Sequence, residues 1–179
     1  MIHPRIAIGA LMISAGALVG IAQHEDYVEV ARPPVAGDVP TNGFGTTTNP
    51  DGSPVKNGDR TTPVRALVRL YADADKYSQA VKRCAPVPMH QHEFDAYVGL
   101  TYNIGPGAFC SSSIPRLLKA GEYARGCETI RLYVCGPATE KTRAKAGERC
   151  YKKDKPLRVL RGLDVRRQAE YKTCMGHGA

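Results

Sequence analysis

The chain has 179 residues, with 25 Lys and Arg against 17 Asp and Glu, for a formal net charge of +8. Once an apolar leader is set aside, that length is one ordinary domain with enough chain to bury a core. The charge is lopsided, since residues 111–179 hold 16 cations against 7 acids whereas residues 1–110 hold 9 against 10. A polyanionic partner would therefore meet the C-terminal half. No aromatic-rich basic stretch, zinc-finger signature or RNA-binding signature accompanies this excess, so nucleic acid is excluded as the expected partner. Cys and His spacing offers no metal knuckle, and neither a metal nor another cofactor is expected.

In chain order, the first element is an uncharged run of 17 residues, Ile6 to Ala22, which follows Arg5 and leads into Gln23-His24-Glu25. It holds three Gly, five Ala and one Ser among Ile, Leu, Val and Met. A firm membrane helix wants about 20 strongly apolar residues, while a secretory signal needs an apolar core of about 7 to 15 followed by small residues. The run falls between these. Either Gly20-Ile21-Ala22 is a cleavage site giving a mature chain from Gln23, or residues 1–24 stay attached as a signal-anchor.

Residues 25–60 are rich in Gly, Pro, Thr, Asn and Asp, with turns at Gly37-Asp38, Asn49-Pro50-Asp51-Gly52 and Asn57-Gly58. These predict a small irregular β-sheet. Thr61-Thr62-Pro63 opens a helix that ends before Pro86, with Val64, Leu67, Val68 and Tyr71 as its apolar stripe. A second helix spans about Gln91 to Ile104, with Phe94, Tyr97, Val98 and Thr101 on one face, and stops at Gly105-Pro106-Gly107. Further helices are expected at about 113–120, 123–134 and 162–174. A sheet followed by helices reads as an α+β fold: a sheet lobe at 25–60, a helical lobe at 61–179, a cleft between them and an apolar helix in front.

Six cysteines, at 84, 110, 127, 135, 150 and 174, all lie downstream of the leader. An even count behind an export signal reads as three disulfides in an oxidising compartment, with fifteen possible connectivities. Cys135 with Cys150 is the favoured pair, because it brackets the stretch GPATEKTRAKAGER, which has little else to hold its shape.

Glu25 follows apolar residues at the start of the domain. A carboxyl group beside an apolar wall keeps its proton to higher pH, which suits a general acid. Sixteen residues later comes Thr41-Asn42-Gly43-Phe44-Gly45-Thr46, a hydroxyl followed by two glycines that let backbone approach a ligand. The third element is the run from Phe94-Asp95-Ala96-Tyr97-Val98 through Asn103-Ile104-Gly105-Pro106-Gly107-Ala108-Phe109, and the fourth is Gly162-Leu163-Asp164-Val165-Arg166-Arg167-Gln168-Ala169-Glu170. These four motifs, in this order and over nearly the whole chain after the leader, resemble the phage-type lysozymes, a muramidase family.

The resemblance implies a lysozyme fold and a peptidoglycan substrate cleaved after N-acetylmuramic acid. It also implies host lysis with phage release, an exported enzyme and a monomer. Glu25 would protonate the leaving oxygen, while a second carboxylate and the Thr41 hydroxyl hold the attacking water, with inverting carboxyl groups about 6.5 to 9.5 Å apart. The family's slot for that second acid falls here on Pro34 or Val35. The nearest suitable acid is Asp38, which equally fits an Asx turn; Asp26 and Glu29 are weaker candidates. Gly43, Phe44, Tyr102 and Asn103 are expected to contact substrate, although a helix-terminal Asn also serves as a cap. The missing slot acid keeps a lytic transglycosylase open as an alternative, and the basic charge keeps open a non-enzymatic protein that binds the wall or disrupts membranes. Some phage lysozymes resemble this chain in a Gly/Ala-rich N-terminal segment that tethers an inactive enzyme to the periplasmic face of the inner membrane, here through residues 6–22, and later leaves it. With no cysteine in the leader, activation would come from refolding near Glu25.

Overall fold

The computed structural model describes residues 4–35, 37–150 and 152–177. The chain forms two compact units, one of residues 12–79 and one of residues 1–11 with 80–179. The helical unit thus begins at Ala80 and also takes in the first residues of the leader.

The apolar run is not one helix. Ile6 is extended, Ile8–Ala10 form a turn of 3-10 helix, and α1 spans Ala15–His24. The break falls at Ser14, whose Oγ accepts the Ala17 N–H at 3.1 Å and caps the new helix. Among the described residues, no helix is long and apolar enough to cross a membrane.

In the unit of residues 12–79, β1 (Val28–Arg32) pairs antiparallel with β2 (Thr41–Gly43), placing Val28 opposite Gly43 and Arg32 opposite Thr41. Residues 58–61 line the other edge of β1: Ala31 N–H donates to Asp59 O at 2.8 Å, and Thr61 N–H to Glu29 O at 3.0 Å. This is the irregular sheet that the turn residues predict. Its core is small, formed by Ile21, Ala31, Val55, Ala66, Leu70 and Ala74.

Helix α2 runs Pro63–Cys84 and supplies residues to both units. Its bounds agree with the sequence reading, but its buried face does not. Val64 and Val68 are 71% and 66% exposed and Leu67 and Tyr71 are also exposed, whereas Ala66, Leu70, Ala74 and Val81 are buried. The inward face is the one with small residues, because β2 comes so close that a Cβ on Gly43 would lie 3.0 Å from that of Ala66.

The other unit is built on α3 (Gln91–Ile104), in which every residue from Glu93 to Thr101 is buried. Helix α3 packs on α7 (Arg161–Cys174) and on α4 (Pro106–Ser111); α5 (Ile114–Lys119) packs on α6 (Tyr123–Ile130), and α6 on α7. His90 and Glu93 form a capping box at the start of α3, and Gly105, at φ 86°, closes its end. Two elements lie outside the sequence expectations: α4, and a hairpin of β3 (Cys135–Pro137) with β4 (Leu157–Val159). The disulfides are Cys84–Cys110, Cys127–Cys174 and the expected Cys135–Cys150.

Candidate active site

Of the residues expected to carry chemistry, Glu25 and Thr41 sit at element ends in the unit of residues 12–79 and Asp38 in one of its loops. Glu25 is the C-cap of α1 and is half-buried; its N–H reaches Ala22 O at 3.4 Å. Three residues on, β1 begins, and its partner β2 opens with Thr41, also half-buried. The register places Thr41 opposite Arg32, at the end of β1 away from Glu25. Asp38 is exposed in the loop joining the two strands, and its N–H donates to Val35 O at 3.0 Å. That is turn geometry, as an Asp after Gly predicts.

Gly43 is buried, and its φ of 58° together with the Ala66 contact accounts for a glycine there. Phe44 is half-buried beside Tyr27, the ring centroids 5.6 Å apart and tilted by 54°. Nothing in the sequence spacing marks Tyr27. A second such residue is Tyr77 on α2, whose hydroxyl is pushed above the usual tyrosine range by burial first, then by the Asp73 and Glu25 carboxylates. Tyr77 thus lies within electrostatic reach of Glu25. Asp73 itself accepts from Thr46 Oγ1 at 3.4 Å and pairs with Arg69 and Lys76.

A cavity of about 530 Å³ in this unit is bounded by Asn42, Gly43, Thr46, Val64, Val68 and Arg69 among others. Glu25, Asp38 and Thr41 are not in its wall, so its volume says nothing about the chemistry.

Tyr102 and Asn103 belong to the other unit, at the end of α3. Asn103 is not the cap, since Gly105 takes that position. Its Oδ1 accepts instead from Arg167 Nη2 at 3.1 Å. Arg167 is fully buried and pairs with Glu170 at 3.1 Å, which Arg166 also reaches at 3.1 Å. Burial lowers the Arg167 guanidinium and raises the Glu170 carboxyl, because desolvation penalises both charges, and their pairing opposes each shift. The Asn103 helix motif and the closing arginine motif, far apart in the sequence, thus meet where the exposed Asn103 touches the buried Arg167. Among the described residues, no group of three or more His, Cys, Asp or Glu is arranged to hold a metal ion.

Several phage proteins are similar to this chain in sequence or in fold. The endolysin of Salmonella phage P22 is 30% identical over 95 residues, 53% of this chain and 65% of that protein. The chain thus aligns with less than two thirds of that curated relative's length. The solved endolysin of Escherichia coli O157:H7 phage FAHEc1 superposes with a TM-score of 0.74 at 29% identity, over 93% of this chain and 95% of that one. A solved point mutant of P22 lysozyme superposes at 0.72 and 24% identity over 92% of this chain and 99% of that one, a likeness of fold. The sequence model described as phage lysozyme matches residues 22–170, which take in α1's last turn, both strands of the small sheet and most of α7, and the chain belongs to that family.

Proposed function

We propose that this protein is an endolysin that hydrolyses the β-1,4 bond between N-acetylmuramic acid and N-acetylglucosamine in peptidoglycan, lysing the host cell and releasing phage. The observation that carries the reading is the β1–β2 hairpin within the family match: it follows Glu25 by three residues and opens its second strand on Thr41. Glu25 is the general acid; Asp38 and Thr41 hold the water on the opposite face of the sugar ring. Phe44 and Tyr27 offer an aromatic surface for a sugar, and Gly43, Tyr102 and Asn103 complete the substrate contacts. The enzyme acts as a monomer and needs no cofactor.

Glu25→Gln tests the acid. Lysis of wall preparations should fall by at least two orders of magnitude, the scale of lost general-acid catalysis, while wall binding persists. Unchanged lysis would leave the protein a non-enzymatic wall binder. Pro34 and Val35 in the family's acid slot favour one second reading, a lytic transglycosylase, which needs no water-positioning acid. Products separate the two, since hydrolysis yields a reducing end and transglycosylation an anhydro end; Asp38→Asn should cripple only the hydrolase.

The same proposal includes control by location. Residues 1–24 act as a signal-anchor, with the run 6–22 in the inner membrane and the enzyme inactive on its periplasmic side until the run withdraws. The division of that run between two compact units supports this, because neither unit is complete while the run is in lipid.

A further inference from the structure

Residues 4–11 are held in the helical unit by more than chain connectivity. Arg5 Nε and Nη2 donate to Glu93 Oε2 and Oε1 at 3.0 and 2.7 Å. The Glu93 side chain is only 4% exposed, and the guanidinium carbon lies 3.6 Å above the centre of the Tyr123 ring. Glu93 Oε2 also accepts the His90 N–H at 2.9 Å, so the carboxylate is oriented by the capping box of α3. One residue on, Ile6 and Met89 exchange both backbone hydrogen bonds at 3.0 Å, and Leu11 is fully buried. This strap lies before the part of the chain that the family shares, which starts at residue 22.

We propose that Glu93, Tyr123 and the Met89 backbone form a receptor for this protein's own N-terminus, which Arg5 enters only after the apolar run has left the bilayer, locking the released state. The proposal rests on the signal-anchor reading above. A 17-residue helix is about 25 Å long, close to the roughly 30 Å hydrocarbon core of a bilayer. With the run inserted, Arg5 lies on one side of the membrane and the folded body on the other, so the 2.7 Å contact and the inserted state exclude each other. Arg5 thus has two alternative holds. Before release, it is the cation that keeps the N-terminus on the cytoplasmic side; after release, a bidentate charge-assisted pair takes it. Glu93, by contrast, meets Arg5 only in the released state, so changing Glu93 isolates the lock.

The test is fractionation of the full-length chain in bacterial cells over the course of expression, with intact-mass measurement of both fractions. Glu93→Gln keeps an acceptor for the His90 N–H but loses the ion pair, and should lower the ratio of released to inserted protein by about tenfold, the effect of one lost charge-assisted bond. Tyr123→Leu, which removes the stacked ring and leaves Glu93 intact, should lower it in the same direction and covers the case in which Glu93→Gln does not fold. Ratios equal to wild type in both variants would overturn the lock while leaving the anchor standing. A wild-type chain that begins at Gln23 would overturn the anchor and the lock together.

Discussion

A methyl group added at Gly43 meets Ala66 at 3.0 Å and must also accept a φ of 58°, a conformation that residues with a Cβ rarely adopt. Gly43→Ala should therefore destabilise the protein by about 1–3 kcal/mol, read from chemical unfolding. Adding Ala66→Gly removes the contact but not the dihedral cost, so it should restore only part of the loss. Full restoration would show that backbone strain contributes nothing. Arg167 presents the opposite case, a large charged side chain where burial is complete. Its Nη2 serves both Glu170 and Asn103, each at 3.1 Å. Removing the guanidinium leaves Glu170 with Arg166 alone and deprives Asn103 of its donor. Arg167→Met should cost about 3 kcal/mol, at the low end for breaking a buried pair because Arg166 remains. A melting curve unchanged from wild type would mean that the cluster is electrostatically neutral overall.

At the scale of elements, α1 is informative for what its glycines do not do. A Cβ on Gly20 would meet nothing within 4 Å, and one on Gly16 only Ser14 Oγ at 3.8 Å, so packing does not demand either glycine. Each costs a helix about 1 kcal/mol relative to Ala. The proposed signal-anchor, a weakly apolar segment that leaves the membrane, would give them a purpose. Gly16→Leu with Gly20→Leu should keep or raise the stability of the purified soluble enzyme and leave its wall hydrolysis unchanged, while the fraction found in membranes rises several-fold. Equal partition would remove that purpose. Some elements are legible in the chain and some are not, for physical reasons. Helix α3 can be read because Phe94, Tyr97, Val98 and Thr101 recur at helical spacing and Gly105-Pro106 closes it, while the capping box that opens it uses His90, which is not a usual cap residue. In α2 the period is right and the face wrong, since a stripe of Val, Leu and Tyr outscores a stripe of Ala although a closely packed strand prefers the latter. The hairpin of β3 and β4 has three residues per strand, too few for alternation to show. Glu25 and Thr41, the proposed catalytic pair, are read from local motifs. Tyr27, Tyr77 and Arg5 take their places through partners distant in sequence, which no local pattern records.

Across the whole molecule, covalent cross-linking is confined to one unit. All six cysteines lie at or beyond residue 84 and all are paired, so residues 12–79 carry no disulfide. Helix α1 can therefore fold without breaking a covalent bond, and the proposed release from the membrane should proceed equally with or without added thiol reductant. The helical unit has the reverse character. Cys127–Cys174 joins α6 to α7 across 47 residues, Cys84–Cys110 joins the end of α2 to α4 across 26, and Cys135–Cys150 closes a loop of 15. If the bonds act by restricting the unfolded chain, their contributions rank with loop length, at about 4, 3.5 and 3 kcal/mol. Double Cys→Ser variants, unfolded in denaturant, should reproduce that order. Hydrogen exchange on each variant locates the effect: amides in residues 80–177 should lose protection first, because the cross-links lie there. If instead loss of Cys135–Cys150 proves the most damaging, the entropic ranking fails, and the bond's weight comes from holding the basic loop folded, where Arg143 also grips the carbonyls of Lys152 and Lys153 at 2.6 and 2.9 Å.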